Sequence, residues 1–297
     1  MPRIGAIFQP SFPPERLRAA VEAAEAAGLP ELWLWEDCFR ESAFATATAA
    51  LAWTERLKVG IGIAPMPLRN VALTAMEIAT IERMFPGRLM PGVGHGVLDW
   101  MGQVGARVAS PLTLMGEYVP ALRALLAGEE VTTTGRYVNL DRVRLDWPPA
   151  TPPRVFAAGE GPKTLHLTGE VADGTIIPGG ASAERVAESA AVVRAGREAA
   201  GRDGESEVVV FVLTAFGGEE ARARALADLR FWDPTADPAR IAGGSVDDVI
   251  ATIRRYEAAG ADAVILQPTT DEPDLEGFLR QAAEVAARVG DGVPAAG

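Results

Sequence analysis

Residues Val155–Ile177 read VFAAGEGPKTLHLTGEVADGTII. An apolar run closes at Ala158, a Gly-Glu-Gly-Pro-Lys turn follows, a short helical stretch comes next, and Gly174–Ile177 is apolar again. Pro162 stands where a helix tolerates proline, in the first turn, where its missing N–H costs nothing. Strand, helix and strand in so short a span make the repeating unit of a parallel α/β fold.

The same alternation extends in both directions. Upstream, β-like runs occupy Ile4–Phe8, Glu31–Glu36, Leu57–Ala64 and Arg88–Val93, and Arg154–Ala158 opens the quoted stretch. Helical patterns lie between them at Pro14–Ala27, Ser42–Ala52 and Val71–Met84, with Gly28 as a C-terminal stop and Ser110-Pro111 as an N-cap followed by a first-turn proline. Downstream come Ala183–Ala200 (helix), Glu207–Thr214 (strand), Glu219–Leu229 and Ser245–Ala259 (helices) and Asp262–Gln267 (strand). The last helix carries Leu275, Phe278, Leu279, Ala282, Val285 and Val289 on one stripe. Eight strands, each followed by a helix, predict an α/β fold of the (β/α)8 TIM-barrel type; an open doubly wound sheet is the competing arrangement. The pattern breaks twice. Val131–Val143, with Gly135 near its centre, reads as a hairpin inside an insertion near 129–153, and a second insertion falls near 231–244. No shift in composition marks a boundary, so 1–297 is read as a single barrel domain, with Gly290–Gly297 as a frayed end.

Composition narrows the partners. Asp and Glu number 40 against 28 Lys and Arg, for a net charge of −12. Nucleic acids and anionic membranes select clustered basic residues, so neither is expected as a partner. The single cysteine, Cys38, allows no intrachain disulfide and fits a reducing cytoplasm. Met1–Ile7 runs directly into a strand without a basic-then-apolar leader, and a cytoplasmic location is the expectation.

Barrels of this type place their active sites at the C-terminal ends of the strands. Those positions are chemically pointed here: Gln9, Glu36-Asp37-Cys38, Ala64-Pro65, Gly94-His95-Gly96, Ala158–Lys163 and Gln267. In Ala158-Gly159-Glu160-Gly161-Pro162-Lys163, two glycines admit a close anion, the next helix directs free N–H groups at it, and Lys163 adds charge. The segment reads as a phosphate site, although the same residues also fit an ordinary βα loop. Gly92-Val93-Gly94-His95-Gly96 lacks the third glycine of a dinucleotide fingerprint and better suits backbone packed against a flat ring. Of the adjacent carboxylates Glu36 and Asp37, at most one is expected to face the mouth, and Asp37 is the choice; a helix cap or solvated carboxylate is the alternative. His95, in a glycine-flanked loop read as exposed, suits proton transfer near neutral pH, whereas His166 reads as structural. Cys38 is either a reactive thiol or a small filler. Two histidines and one cysteine build no standard zinc cluster, and no metal site is expected. A Gly-x-Ser-x-Gly elbow is absent. Phe12, Trp35, Phe39, Met66 and Trp100 lie near the strand ends and hint at an apolar substrate.

Four stretches, taken in order, resemble the bacterial luciferase-like superfamily of flavin- and F420-dependent oxidoreductases: LRNVALTAMEIATIERMFPGRLMPGVGHG (Leu68–Gly96), PLTLMGEYVPALRALLAGEEVTTTG (Pro111–Gly135), the quoted Val155–Ile177, and GADAVILQP (Gly260–Pro268). The resemblance implies an insertion-bearing (β/α)8 barrel and a role for Asp37 beside the cofactor. In F420-dependent members this acid belongs to a pattern like S-D-H-F; Cys38 replaces the histidine here. It further implies a cis peptide behind the cofactor ring around Ala64-Pro65 and cofactor phosphate at Gly159–Lys163, with Ala158, Gly94 and His95 taken as further cofactor contacts from their places at the strand ends. Val97 stands where sugar-phosphate-oxidising members carry glutamate, which disfavours that substrate class. The proton donor or acceptor is then one of Asp37, His95 and Cys38. The implied cofactor is coenzyme F420, with hydride transfer to or from a small organic substrate. FMN with an O2-using monooxygenase reaction is the alternative, and a non-catalytic flavin-binding protein a second. Homodimers are usual among such proteins.

Overall fold

The computed structural model describes residues 1–290; the expectation for 291–297 lies outside the described residues. In chain order the elements are β1 (Arg3–Ile7), α1 (Leu17–Ala27), β2 (Glu31–Leu34), α2 (Ala43–Ala52), β3 (Lys58–Ile61), β4 (Ala64–Pro65) and α3 (Val71–Met84). Then come β5 (Leu89–Met90), β6 (Gly92–Gly94), α4 (Leu98–Gln103), α5 (Pro111–Leu126), β7 (Val131–Thr134), β8 (Asn139–Val143), β9 (Phe156–Ala158) and α6 (Pro162–Val171). The rest are β10 (Gly174–Ile177), α7 (Ala183–Ala199), β11 (Glu207–Phe216), α8 (Glu219–Trp232), β12 (Ala242–Gly244), α9 (Val246–Ala258), β13 (Ala263–Gln267) and α10 (Leu275–Gly290).

The expected third and fourth strands are each interrupted, the third at Gly62–Ile63 and the fourth at Pro91. Their halves still pair in step: β3 with β5 through Val59↔Leu89, and β4 with β6 through Ala64↔Val93. β6 continues to β9 through Gly92↔Phe156, and the path β9-β10-β11-β13-β1-β2-β3 returns to the start. Counting β3–β4 and β5–β6 as one strand each, eight parallel strands close into a (β/α)8 barrel. The open doubly wound sheet is thereby excluded.

Local rules account for the helix ends. Ser110 caps α5 by accepting from the Thr113 N–H, and Ser245 and Asp248 form a reciprocal capping box at α9. Gly28 ends α1 at φ 79°, the left-handed conformation that glycine adopts without a Cβ clash. β7 and β8 pair antiparallel, the hairpin expected in the first insertion. In the second, β12 adds a short parallel strand to the end of β11 through Thr214↔Ala242, which explains why β11 runs two residues past its expected end.

Apolar residues divide by strand face. Outward residues such as Val208, Val210, Val264 and Leu266 join the helices in the main core. Inward residues Ile7, Trp33, Phe156, Ile176, Phe211 and Ile265 fill the barrel. Trp33 fits because residue 60 is glycine: a Cβ there would lie 2.2 Å from the indole ring. At the N-terminal end, Glu31 accepts from the Trp33 indole N–H at 2.8 Å and from Arg3 Nε at 2.9 Å, closing the floor. The opposite end is left for a site.

Candidate active site

Side chains along a strand alternate faces with a period of two. One further step along the inward register, from Ile7, Trp33, Phe156, Ile176, Phe211 and Ile265, reaches Gln9, Trp35, Ala158, Pro178, Leu213 and Gln267. All six line cavities at the C-terminal mouth. A main cavity of about 500 Å3 contains Trp35, Ala158, Pro178 and Gln267, and an adjoining chamber of about 420 Å3 contains Gln9 and Leu213 and shares Trp35 and Gln267 with it.

The main cavity has a flat apolar wall. Trp35 and Phe211 stack at 24° with centroids 6.2 Å apart, and Ile63 and Ile176 adjoin them. Gly62 keeps this wall open, since a Cβ there would come within 2.6 Å of Phe211 Cζ. The cis bond expected around Ala64-Pro65 is not at that peptide; among the described residues the cis peptides are Cys38-Phe39 and Gly62-Ile63. The latter lies at the break between β3 and β4, at the cavity wall, whereas Ala64 and Pro65 are already paired in β4.

His95 lines the same cavity in a loop whose Val97, Leu98 and Asp99 are exposed, yet both of its ring nitrogens are buried and neither has a hydrogen-bond partner in the protein. Burial lowers its pKa, so the imidazole is neutral at pH 7. A buried imidazole N–H without an acceptor costs about 1–3 kcal/mol. Such an orphaned pair, beside a flat wall, is the local chemistry that a polar-edged planar ligand would satisfy.

Asp37 reaches both cavities. Burial raises its pKa, while a hydrogen bond from the Trp35 side chain and the charge of Arg40 work in the opposite direction. Its neighbour Glu36 also borders the main cavity but is engaged elsewhere. Glu36 accepts from Arg69 through both carboxylate oxygens and from the Ala43 N–H at 3.0 Å, at the start of α2. Both adjacent carboxylates therefore border the main cavity, Glu36 tied to Arg69 and Asp37 without such an ion pair among the described residues. Cys38 lines the side chamber alone, and its thiol is pushed up by burial and by the charges of Glu36 and Asp37. That environment holds it protonated and poorly nucleophilic.

Ala158, Gly159, Glu160 and Gly161 border the main cavity at the start of α6. Gly161 is the N-cap and supplies no side-chain cap, so the first-turn N–H groups of α6 remain free for an anion. Arg185 steadies this loop by donating to the Glu160 carbonyl at 2.9 Å. Pro162 and Lys163 are exposed and do not line the cavity; the helix turns Lys163 outward and presents Thr164 instead. Gly94, Ala64 and Pro65 are buried behind the wall, with a Cβ on Gly94 only 2.9 Å from Ile63. Of the aromatic residues near the strand ends, Trp35 and Trp100 reach the cavities, Phe12 packs on Phe8, Met66 is buried away from them, and Phe39 is exposed. Phe211, Ile176, Leu213 and Trp232 line cavities without having stood out in the sequence. The inward register signals the first three; Trp232 has no such signal. Among the described residues no cluster of three or more His, Cys, Asp or Glu could hold a metal ion, and no helix is long and apolar enough to cross a membrane.

Comparison with known proteins agrees with this architecture. The 5,10-methylenetetrahydromethanopterin reductase of Methanolobus tindarius is 30% identical over 260 residues, covering 87% of this chain and 77% of that protein. The F420-dependent hydroxymycolic acid dehydrogenase of Mycobacterium tuberculosis is 30% identical over 273 residues, covering 84% and 74%. An F420-dependent secondary alcohol dehydrogenase, solved with an F420-acetone adduct, superposes with a TM-score of 0.84 at 22% identity over 96% of this chain and 98% of that one. The sequence matches the Luciferase-like monooxygenase family over residues 3–293, and the chain belongs to that family.

Proposed function

We propose that this chain is an F420-dependent oxidoreductase that transfers a hydride between the deazaflavin and a small organic substrate. One observation carries the reading: a single cavity joins a flat apolar wall, the unpartnered ring of His95 and the uncapped start of α6. A planar ring system with polar edges and a phosphate tail has these three needs. The relatives named as F420-dependent support the choice of deazaflavin over FMN.

Trp35, Ile63 and Phe211 would hold the ring, His95 would hydrogen-bond its polar edge, and Gly159–Gly161 with the first turn of α6 would hold the phosphate. When bound, F420 supplies a ring carbon able to give or take a hydride. The protein's own part is orientation, exclusion of water and management of one proton. Asp37, at the boundary of the two cavities, is placed to hold that proton on a carboxylate oxygen, and its raised pKa brings it closer to working pH. His95, neutral and unpartnered, is the second candidate. Cys38 lies outside the main cavity with a disfavoured thiolate, so a polarity-tuning role suits it better than proton transfer.

The test is titration of purified apo-protein with F420 and, separately, FMN, followed by ligand fluorescence. Micromolar or tighter binding of F420 with weak FMN binding is expected. Preference for FMN would replace this reading with an oxygen-using flavoprotein, to be examined by oxygen uptake, or with a flavin carrier showing no turnover.

A further inference from the structure

The side chamber is not needed for the ring or the phosphate. Its volume of about 420 Å3 lies in the range of small-molecule sites. Trp35, Asp37, Val97, Trp100, Gly179 and Gln267 border both spaces, so a molecule in the chamber meets the main cavity along a shared wall that includes Asp37. We propose that this chamber is the substrate's compartment and that it admits a neutral, mainly apolar molecule carrying one hydrogen-bonding group. The inference rests on the function proposed above and specifies its substrate class.

The chemistry of the walls selects that class. Pro10, Trp100, Leu213, Leu229 and Trp232 supply apolar surface. The polar groups facing in from strand ends are mostly uncharged: the amides of Gln9 and Gln267 and the protonated thiol of Cys38. Gln9 is only 3% exposed and is held by donation to the Pro268 carbonyl at 3.3 Å. The charged groups at its border are two carboxylates, Asp37 and Asp228, and one guanidinium, Arg40, which is exposed to solvent. Asp228 accepts from the Thr270 N–H at 2.7 Å, and Arg40 acts on Asp37. An anion entering here would lose hydration and meet two carboxylates against a single solvent-exposed guanidinium, and a neutral molecule avoids that penalty.

A second observation points to the same use. Phe231 and Trp232, at the end of α8, are each 77% exposed and meet edge to face with centroids 5.2 Å apart. Large aromatic side chains left in water at a cavity rim mark surface that a ligand covers. Trp232 belongs to the chamber and not to the main cavity, so it separates substrate binding from cofactor binding.

The test uses acetophenone and benzoate, which share a ring and differ in charge, on the full chain. Cys38, the one cysteine of the chain, lines the chamber, so occupancy should shield it from iodoacetamide, read by intact mass at pH 8.5. Saturating acetophenone is expected to slow alkylation at least tenfold, and benzoate at equal concentration less than twofold. Trp232→Ala should raise the acetophenone concentration for half-protection about tenfold and leave the F420 Kd within twofold. Calorimetric titration of both probes gives the same comparison without depending on thiol reactivity. Equal or stronger binding of benzoate, or indifference to Trp232→Ala, overturns the proposal. If acetophenone binds in the Trp232-dependent way but F420 does not bind, the chamber stands and the F420 reading falls. If F420 binds and acetophenone does not, the reverse holds.

Discussion

Arg69→Met tests how the cavity's edge is held. Arg69 and Glu36 keep 14% and 8% side-chain exposure, and the guanidinium also reaches Glu77 at 3.2 Å and lies over the Phe44 ring at 5.1 Å. Methionine retains most of the apolar stem but removes the cation. Glu36 would keep only the Ala43 N–H, with its charge otherwise uncompensated in a largely buried position. Breaking such a pair from one side costs about 3–5 kcal/mol. The lower end, about 3 kcal/mol, is expected because Glu77 is partly solvated, and this is roughly 6–12 °C in Tm for a chain of this size. Urea unfolding should show a lower midpoint with an unchanged m-value. The double variant Arg69→Met/Glu36→Gln removes the stranded charge and should recover most of the loss. F420 affinity should fall in the single variant as well, since Glu36 sits between Trp35 and Asp37 and its N–H donates to the Ile63 carbonyl at 3.0 Å. A loss under 1 kcal/mol, or no recovery in the double variant, would refute the assignment of Glu36–Arg69 as the clamp of this edge.

Gly161→Asp should repel the cofactor phosphate and weaken F420 binding by about tenfold or more at low salt, while thermal melting stays unchanged or rises slightly. A Cβ there meets nothing within 4 Å, and aspartate is a favoured N-cap, so full affinity in a stable variant would remove α6 from the phosphate site. Asp37→Ala should lower turnover or cofactor affinity, and unchanged values of both would remove Asp37 from the site. The lowered pKa of His95 makes the unfolded chain the better proton binder, so this residue's stabilising contribution is full above about pH 6.5 and shrinks below it, levelling off under the lowered native value. Denaturant unfolding from pH 8 to 5 should show a part of that decline missing in His95→Gln; identical profiles would contradict a buried neutral imidazole.

The barrel was legible because its strands are apolar runs separated by helices with clear caps, as at Gly28, Ser110 and Ser245. Interruptions within strands were not: Gly62–Ile63 and Pro91 sit in apolar surroundings that read as continuous β-structure. Asp37 and the Gly159–Gly161 loop were visible by residue type at strand exits. The burial of the His95 ring nitrogens was not legible, because flanking glycines suggest exposure. Lys163 was misjudged because the sequence does not show which way the first turn of α6 faces. Phe211 and Leu213 could have been found by carrying the two-residue period of β11 to the mouth. Trp232 could not, because its position depends on how α8 returns over the barrel.

The stretch from α8 to β12 carries a small apolar cluster of its own, while Ala242 of β12 joins the main core. Ala221, Ala225, Leu229, Ala236 and Ile241 form a cluster with Leu213 and Ala215 of β11, distinct from the main core and from the barrel filling. Residues 217–245 are therefore the segment whose replacement is expected to disturb the barrel filling least. Replacing them, with Leu213 and Ala215 as the seam, would alter what the enzyme accepts while sparing the cofactor side. Laboratory diversification confined to this segment is then the economical route to new substrates, and natural divergence would have found the same path open.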